Sequence, residues 1–371
     1  MKDFKNLGIS KNIIDILSKE GIKNPTPIQE NSIEFIKMGK DVIAEAQTGT
    51  GKTLAFLLPI FENISLESNF VQVLIVTPTR ELAIQITEEA MKLRKAKDIN
   101  ILAAYGGKDI QSQLKKLKGN IQLIIATPGR LLDHLNRNTI KLDKLKTLVL
   151  DEADQMLYMG FKNEVEKIIS YTSKKHQTLC FSATMNSDVK KLAYRYMKDP
   201  KVISVKTEEI TLKNINQFVV ETTDRRKQDA LCSVLDEDNP FMAIIFCRTK
   251  RRVDNLEEAL HKRGYNCDKL HGDLAQAKRE RVMKKFKNMD TQYLIATDVA
   301  ARGLDITGVT HVYSYDIPEN AESYIHRIGR TGRAGEEGKT CLFIDPKDKR
   351  LLETIEKEIK FTIPRRNIET K

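Results

Sequence analysis

The sequence has little cysteine and does not arrange it for chemistry. Its five cysteines, Cys180, Cys232, Cys247, Cys267 and Cys341, are odd in number, scattered, and never in a Cys-x-x-Cys pair. Neither a disulfide framework nor a zinc site is indicated, and a reducing cytoplasm is the expected setting. Long apolar runs are missing too, and the N-terminus lacks the uninterrupted hydrophobic region of a secretory signal. Export and membrane insertion are not expected. Acidic charge is the minority sign: 51 Asp and Glu against 62 Lys and Arg leave a formal net charge of +11. That excess favours a polyanionic partner, although taken alone solubility accounts for it equally well. With 371 residues, 40% hydrophobic and 30% charged, the chain is too long for one compact core and reads as a soluble protein of two domains.

What is present is concentrated in two stretches. Leu148-Val149-Leu150-Asp151-Glu152-Ala153-Asp154 is an apolar run that stops at three carboxylates. It reads as a buried parallel strand opening into a crevice, where α/β sheets bind ligands. By itself the acidic cluster is equally a solvated first turn of a helix. Upstream, Ala46-Gln47-Thr48-Gly49-Thr50-Gly51-Lys52-Thr53 fits the phosphate-loop pattern with Ala in place of the first Gly. It follows the apolar Val42-Ile43-Ala44 and precedes a helical run from Leu54. Gly49 and Gly51 permit the tight turn that aims backbone N–H groups at phosphate oxygens. Lys52 is then expected to reach the β- and γ-phosphates and the Thr53 hydroxyl to ligate Mg²⁺. Asp151 would hold the magnesium through water, and Glu152 would orient and deprotonate the attacking water. A lone GKT is common by chance. One that follows a strand and is answered by a strand-terminal acidic pair is a specific signal.

The remainder of the first half alternates strands with helices. Apolar spacing predicts an amphipathic helix over 4–18 with Ser10 as N-cap. The loop from Gly21 to Gln29 is stiffened by Pro25 and Pro27 and presents Gln29, whose donor and acceptor suit an adenine edge. Strands are expected at 71–76, 99–105, 121–126 and 178–181, and a helix at 80–95. The turns Pro78-Thr79-Arg80, Gly106-Gly107, Thr127-Pro128-Gly129-Arg130 and Ser182-Ala183-Thr184 leave those strands. Each combines hydroxyl, Gly or Arg near a helix N-terminus, a kit for holding backbone phosphates that singly is more often just a helix cap. The rhythm implies an α/β fold with a parallel sheet covered on both faces.

Residues 207–216 are polar and form the expected linker between a domain over 1–206 and another over 217–371. The second half repeats the rhythm, with strands at 217–220, 243–247, 267–270, 293–296, 311–315 and 340–344 and helices at 253–262 and 279–287. It has no second phosphate loop, so it is not expected to bind nucleotide unaided. Arg302-Gly303-Leu304-Asp305 follows one strand, and His326-Arg327-Ile328-Gly329-Arg330-Thr331-Gly332-Arg333 is expected to occupy a helix and the turn beyond it. Three-residue spacing places Arg327, Arg330 and Arg333 along one helix face. A solvated face is the bland account. Opposite a phosphate loop, the sharper one is a set of arginine fingers.

These ordered motifs, over nearly the whole chain, resemble those of the DEAD-box RNA helicases. The resemblance implies two tandem RecA-like domains, each a mainly parallel sheet flanked by helices, that close on ATP and RNA together. Phe4, Ile22 and Gln29 would serve the adenine, and Thr48, Gly49, Thr50, Gly51, Lys52 and Thr53 the phosphates and Mg²⁺. Gly303 and Asp305 would meet the ribose, Arg330 and Arg333 the γ-phosphate, and His326 would join the network aligning water with Glu152. Asp154, Ser182 and Thr184 would couple ATP state to strand separation. RNA phosphates would meet Pro78, Thr79, Arg80, Gly106, Gly107, Thr127, Pro128 and Arg130 in the first domain. In the second they would meet Arg248, Thr249, His271, Gly272, Gln276, Arg279, Thr297 and Arg327. Contacts of this kind address backbone, so little sequence preference is expected.

Four positions depart from the family pattern: Ile22 for an aromatic, Arg248 for Asn, Tyr158 for Asp and Asn186 for Pro. Few residues follow Ile363-Pro364, so no appended RNA-binding domain is expected, and selection of a particular RNA would fall to the core or to protein and ribonucleoprotein partners. A monomer is expected. The main reading is ATP-dependent unwinding of RNA. An ATP-gated RNA clamp or assembly platform with little turnover is the alternative, and a DNA helicase of the same architecture is a third.

Overall fold

The computed structural model describes residues 3–47, 49–107, 119–205, 215–301, 306, 308–332 and 337–368. The chain divides into two compact units, 1–207 and 208–371. Most of the expected linker, 207–214, lies outside the described residues; its last two positions, Ile215 and Asn216, already belong to a strand.

In the first unit the described elements are α1 (Lys11–Lys19), α2 (Pro27–Lys37), β1 (Val42–Glu45), α3 (Lys52–Asn63), β2 (Val73–Val76), α4 (Arg80–Leu93), β3 (Ile101–Ala104) and β4 (Leu123–Ala126). There follow α5 (Pro128–Asn136), β5 (Thr147–Leu150), α6 (Ala153–Tyr158), α7 (Lys162–Ser170), β6 (Gln177–Ser182), α8 (Ser187–Tyr196) and β7 (Lys201–Ser204). The strands form one sheet in the order β3-β4-β2-β5-β6-β1-β7, and every pairing is parallel. Strand periodicity explains why the central strands are apolar at every position. Val73 and Ile75 of β2 enter one core and Leu74 and Val76 the other, so both faces of the sheet are covered. All C-terminal strand ends therefore lie along one edge.

The second unit contains β8 (Ile215–Glu221), α9 (Lys227–Asp238), β9 (Ala243–Cys247), α10 (Lys250–Lys262), β10 (Cys267–Leu270), α11 (Gln276–Lys287) and β11 (Tyr293–Thr297). It continues with α12 (Asp298–Ala301), β12 (His311–Ser314), α13 (Ala321–Ile328), β13 (Gly338–Ile344) and α14 (Lys349–Ile359). Its sheet runs β10-β11-β9-β12-β13-β8, again parallel throughout. Alternation recurs on β9, where Ala243, Ile245 and Cys247 face one core and Ile244 and Phe246 the other. The edge strand β8 does not end the layer. The segment beyond α14 lies along it: Val219 N donates to the Pro364 carbonyl at 2.9 Å and Arg366 N to the Val219 carbonyl at 2.8 Å. Arg366 also pairs with Asp238 at 2.9 Å. Lys339 and the Tyr313 hydroxyl meet the same buried carboxylate.

One strand, β7, has no counterpart among the expected elements. It is a sheet edge that buries only Ile203, with Lys201, Val202 and Ser204 exposed. Among the described residues no helix is long and apolar enough to cross a membrane.

Candidate functional site

In the first unit the strand order sorts the expected site residues into two groups. The turns after the neighbouring strands β5, β6 and β1 carry Asp151 to Asp154, Ser182 to Thr184 and the phosphate loop. Those after β2, β4 and β3 carry Pro78 to Arg80, Thr127 to Arg130, and Gly106 with Gly107.

The loop between β1 and α3 turns through left-handed backbone at Gly49 (φ 82°) and Gly51 (φ 88°), which side chains rarely tolerate. Lys52 opens α3, is buried, and donates from Nζ to the Ala46 carbonyl at 2.7 Å. Thr53 follows it, half-buried, and the Thr50 hydroxyl donates to the Gln47 carbonyl at 2.7 Å. Thr48 lies outside the described residues. Gln29 is more embedded than its sequence context implies. It is 2% exposed, accepts from Thr26 N at 3.0 Å at the start of α2, and donates to the Gly51 carbonyl at 3.0 Å. One amide hydrogen and one lone pair remain for any base edge. Phe4 is buried in the hydrophobic core of the first unit, and Ile22 packs against that core.

A Cβ placed on Gly51 would lie 2.5 Å from Gln29 Nε2 and 3.0 Å from Thr26 Oγ1. Gly51→Ala is therefore expected to impose about 1–2 kcal/mol of left-handed strain as well as displacing Gln29. Nucleotide binding by calorimetry should weaken, and an unchanged affinity would rule out this account of the glycine.

Glu152 N-caps α6 in left-handed backbone (φ 51°, ψ 52°), a conformation uncommon outside glycine and often found at functional positions. Asp151 is 3% exposed, and its Oδ1 accepts from Glu152 N at 3.1 Å. Burial pushes this carboxyl up to about 7, against the opposing pull of Lys52. Asp154 is tied to the turn after β6. Its Oδ2 accepts from Thr184 N and Thr184 Oγ1, both at 3.0 Å, and its own N–H donates to Ser182 Oγ at 3.2 Å. Ser182 Oγ completes the ring by donating to the Thr184 carbonyl at 2.8 Å.

In the other group, Thr79 caps α4 by accepting from Leu82 N at 3.2 Å. The Arg80 guanidinium lies over Gly106, where a Cβ would stand 2.9 Å from Nη2. Thr127 and Pro128 begin α5, whose first turn carries Arg130.

The second unit gathers its expected RNA residues at the ends of the neighbouring strands β10, β11 and β9. Arg248 and Thr249 follow β9, and Thr249 Oγ1 caps α10 by accepting from Arg252 N at 3.2 Å. His271 and Gly272 follow β10; His271 is buried, with Nε2 3.2 Å from Asp254 Oδ1. Gln276 and Arg279 lie in the first turn of α11, and Thr297 ends β11.

The expectation that Arg327 and Arg330 share a helix face is corrected. α13 stops at Ile328, Gly329 caps it, and Arg330 sits in the following turn with Nε donating to the His326 carbonyl at 3.2 Å. A side chain at Gly329 would meet the Ile325 carbonyl at 3.2 Å. Arg333, Gly303 and Asp305 lie outside the described residues. Arg327 is 2% exposed: Nε and Nη2 grip the two Asp298 oxygens at 2.6 and 2.7 Å, and Nη1 donates to the Asp316 carbonyl at 2.5 Å. Its guanidinium thus braces the protein interior.

Asp316 escaped sequence reasoning. Its Oδ2 accepts from Arg248 N at 2.9 Å and pairs with Arg252 Nε at 3.0 Å. It holds the turn after β9 in place. The signal that could have found it is the one that exposed Asp151, a carboxylate closing an apolar strand.

Comparison with known proteins agrees with this layout. The DEAD/DEAH box helicase family matches residues 26–192 and the helicase conserved C-terminal domain residues 226–335. DEAD-box ATP-dependent RNA helicase CshA of Bacillus subtilis is 50% identical over 357 residues, covering 96% of this chain and 72% of that protein. The protein of the same name from Bacillus cereus is 49% identical over 370 residues, covering 100% and 70%. The solved structure of S. cerevisiae Dbp5 bound to RNA and ADP BeF3 matches with a TM-score of 0.91 at 30% identity, covering 99% of this chain and 96% of that one. With two RecA-like α/β domains and about half of its residues shared with the two CshA proteins, the chain belongs to the DEAD-box family of ATP-dependent RNA helicases.

Proposed function

We propose that the protein hydrolyses ATP in the presence of RNA and uses the cycle to separate short duplexes or to remodel RNA–protein complexes. The observation that carries this reading is the ring joining Asp154 to Ser182 and Thr184. It gives the acidic turn and the turn after β6 a shared hydrogen-bond network, so a change at the nucleotide has a rigid route to a neighbouring strand end.

In this reading Gln29, together with Phe4 and Ile22, addresses the adenine. Lys52 and the backbone of residues 48–53 bind the phosphates. Glu152 takes the proton of the attacking water, His326 helps to align that water, and Arg330 and Arg333 stabilise charge as the γ-phosphate leaves. Gly303 and Asp305 receive the ribose. Thr53 and Asp151 are hard oxygen donors, and a buried carboxyl held up to about 7 gains from a cation beside it. They would hold Mg²⁺, which when bound supplies positive charge to the phosphate oxygens. The relative bound to RNA and ADP BeF3 supports ATP and RNA as ligands. RNA would run across the turns at Pro78 to Arg80, at Gly106 with Gly107 and at Thr127 to Arg130, and across Arg248, Thr249, Gly272, Gln276, Arg279 and Thr297. His271 and Arg327 would position those turns from behind.

RNA binding and domain closure over ATP would favour one state, so each strengthens the other. The test is steady-state ATPase with a mixed-sequence RNA, with its DNA counterpart and with neither, followed by strand release from short and long duplexes. RNA should stimulate and DNA should do so little, because 2′-hydroxyl contacts and A-form geometry are lost. Equal stimulation by DNA, or efficient release of the long duplex, would contradict local RNA strand separation. RNA retention without turnover would favour an ATP-gated clamp.

A further inference from the structure

We propose that the outer face of α11 is a second RNA-contact surface, holding phosphates that flank the segment gripped by the strand-end turns. This rests on the RNA-binding reading above and extends it to a surface outside those turns.

α11, Gln276–Lys287, carries six basic residues, Lys278, Arg279, Arg281, Lys284, Lys285 and Lys287, against the single acid Glu280. One stripe of the helix, Val282, Met283 and Phe286, is buried in the core with Leu270 and Leu294. That fixes which side faces water. Lys278, Arg281, Lys284 and Lys285 are all exposed, and at spacings of three and four residues they follow one another down the helix. Lys278, Arg281 and Lys284 make no ion pair with any described residue, and Lys285 only a long one, 3.8 Å from Asp268. Glu280 accepts from Gln276 Nε2 at 3.2 Å and offsets one of the six positive charges, leaving an excess of five on the helix. Exposed lysines on a folded domain are commonly balanced by carboxylates at i±4, as Lys262 is by Glu258 on α10. On α11 only Lys284 has a carboxylate at that spacing, Glu280, whereas Lys278, Arg281 and Lys285 have none.

Position gives the stripe its partner. The first turn of α11 holds Gln276 and Arg279 beside the end of β10, among the residues read as contacting RNA. From there the helix runs about 18 Å toward the opposite edge of the sheet. An RNA strand leaving the first turn would meet cations on successive turns. No base-reading group accompanies them, so the surface suits a phosphate backbone of any sequence.

The test uses the full chain with all four residues replaced by Gln, K278Q, R281Q, K284Q and K285Q, beside a charge-keeping variant in which Lys and Arg are exchanged at those positions. Binding is measured against salt for a mixed-sequence RNA of about eight nucleotides, within the range of single-strand sites on one folded unit. The same RNA extended at its 5′ or its 3′ end is measured alongside. The unmodified protein should bind one extended RNA more tightly than the short one. The Gln variant should lose that gain, with a log–log salt slope shallower by about 2, while the charge-keeping variant retains it. ATPase stimulated by the short RNA should be the same in all three. The proposal is overturned if extension brings no gain, if the Gln variant keeps the gain, or if the charge-keeping variant loses it. Failure of the short RNA to bind or stimulate any of the proteins would instead sink the RNA-binding reading, and this inference with it.

Discussion

Lys52→Ala is expected to abolish both ATP binding and turnover, whereas Glu152→Gln should keep binding and lose turnover. The two residues stand at the ends of different strands and act at different moments. Lys52 is buried with its ammonium 2.7 Å from the Ala46 carbonyl, so its charge is already in place for a ground-state phosphate. Removing a desolvated charge partner costs roughly 2–5 kcal/mol of binding. Glu152, as proposed, would act on water only as the transition state forms. Loss of a general base lowers the rate roughly 10²–10⁴-fold without a matching change in KM. Calorimetry for binding and single-turnover hydrolysis for chemistry separate the two. A glutamine variant that hydrolyses ATP near the parent rate would remove Glu152 from the mechanism, and tight binding by the alanine variant would remove Lys52.

Arg330→Ala should be as damaging, by a different route. An arginine that meets the transferred phosphoryl group is worth roughly 10³–10⁵ in rate. In the proposed reading the turn after α13 presents one. Gly329 ends the helix, and Arg330 is held by its Nε on the His326 carbonyl. RNA-stimulated kcat should collapse while ATP affinity changes little. Arg330→Lys should not rescue it, because an ammonium lacks the planar fork of donors. Parent-level kcat in either variant would assign the finger elsewhere. Arg327→Ala is the informative control: a buried charge pair loses a partner and leaves Asp298 unpaired, so melting temperature should fall along with activity.

Much of this was legible because central strands of a parallel sheet are buried on both faces. Leu148-Val149-Leu150 and Ala243 to Cys247 read as strands from composition alone, and the site residues follow them. Edge and partner effects were not legible. β7 buries one residue in four, so its sequence carries no apolar run. Arg327 and Arg330 share a spacing but not a fate, since Gly329 ends the helix between them. Gln29 reads as a base-recognising side chain and is also a brace between α2 and the phosphate loop. Asn186, a departure from the family's Pro, has a local reason: its Oδ1 caps α8 by accepting from Asp188 N and Val189 N. The sequence expresses burial well, and it expresses badly which polar group will find which partner.

The segment that lies along β8 has a consequence for how the second unit comes into being. β8 is the first strand of that unit to leave the ribosome, yet its sheet partner β13 begins at Gly338 and its outer cover arrives only with Pro364 and Arg366. Until then a strand of alternating Ile215, Gln217 and Val219 has no mate, and such edges recruit other chains. The unit therefore assembles late and from both ends of its sequence at once, a high-contact-order closure that is intrinsically slow. Nascent chains halted before residue 338 should be the ones that need a chaperone.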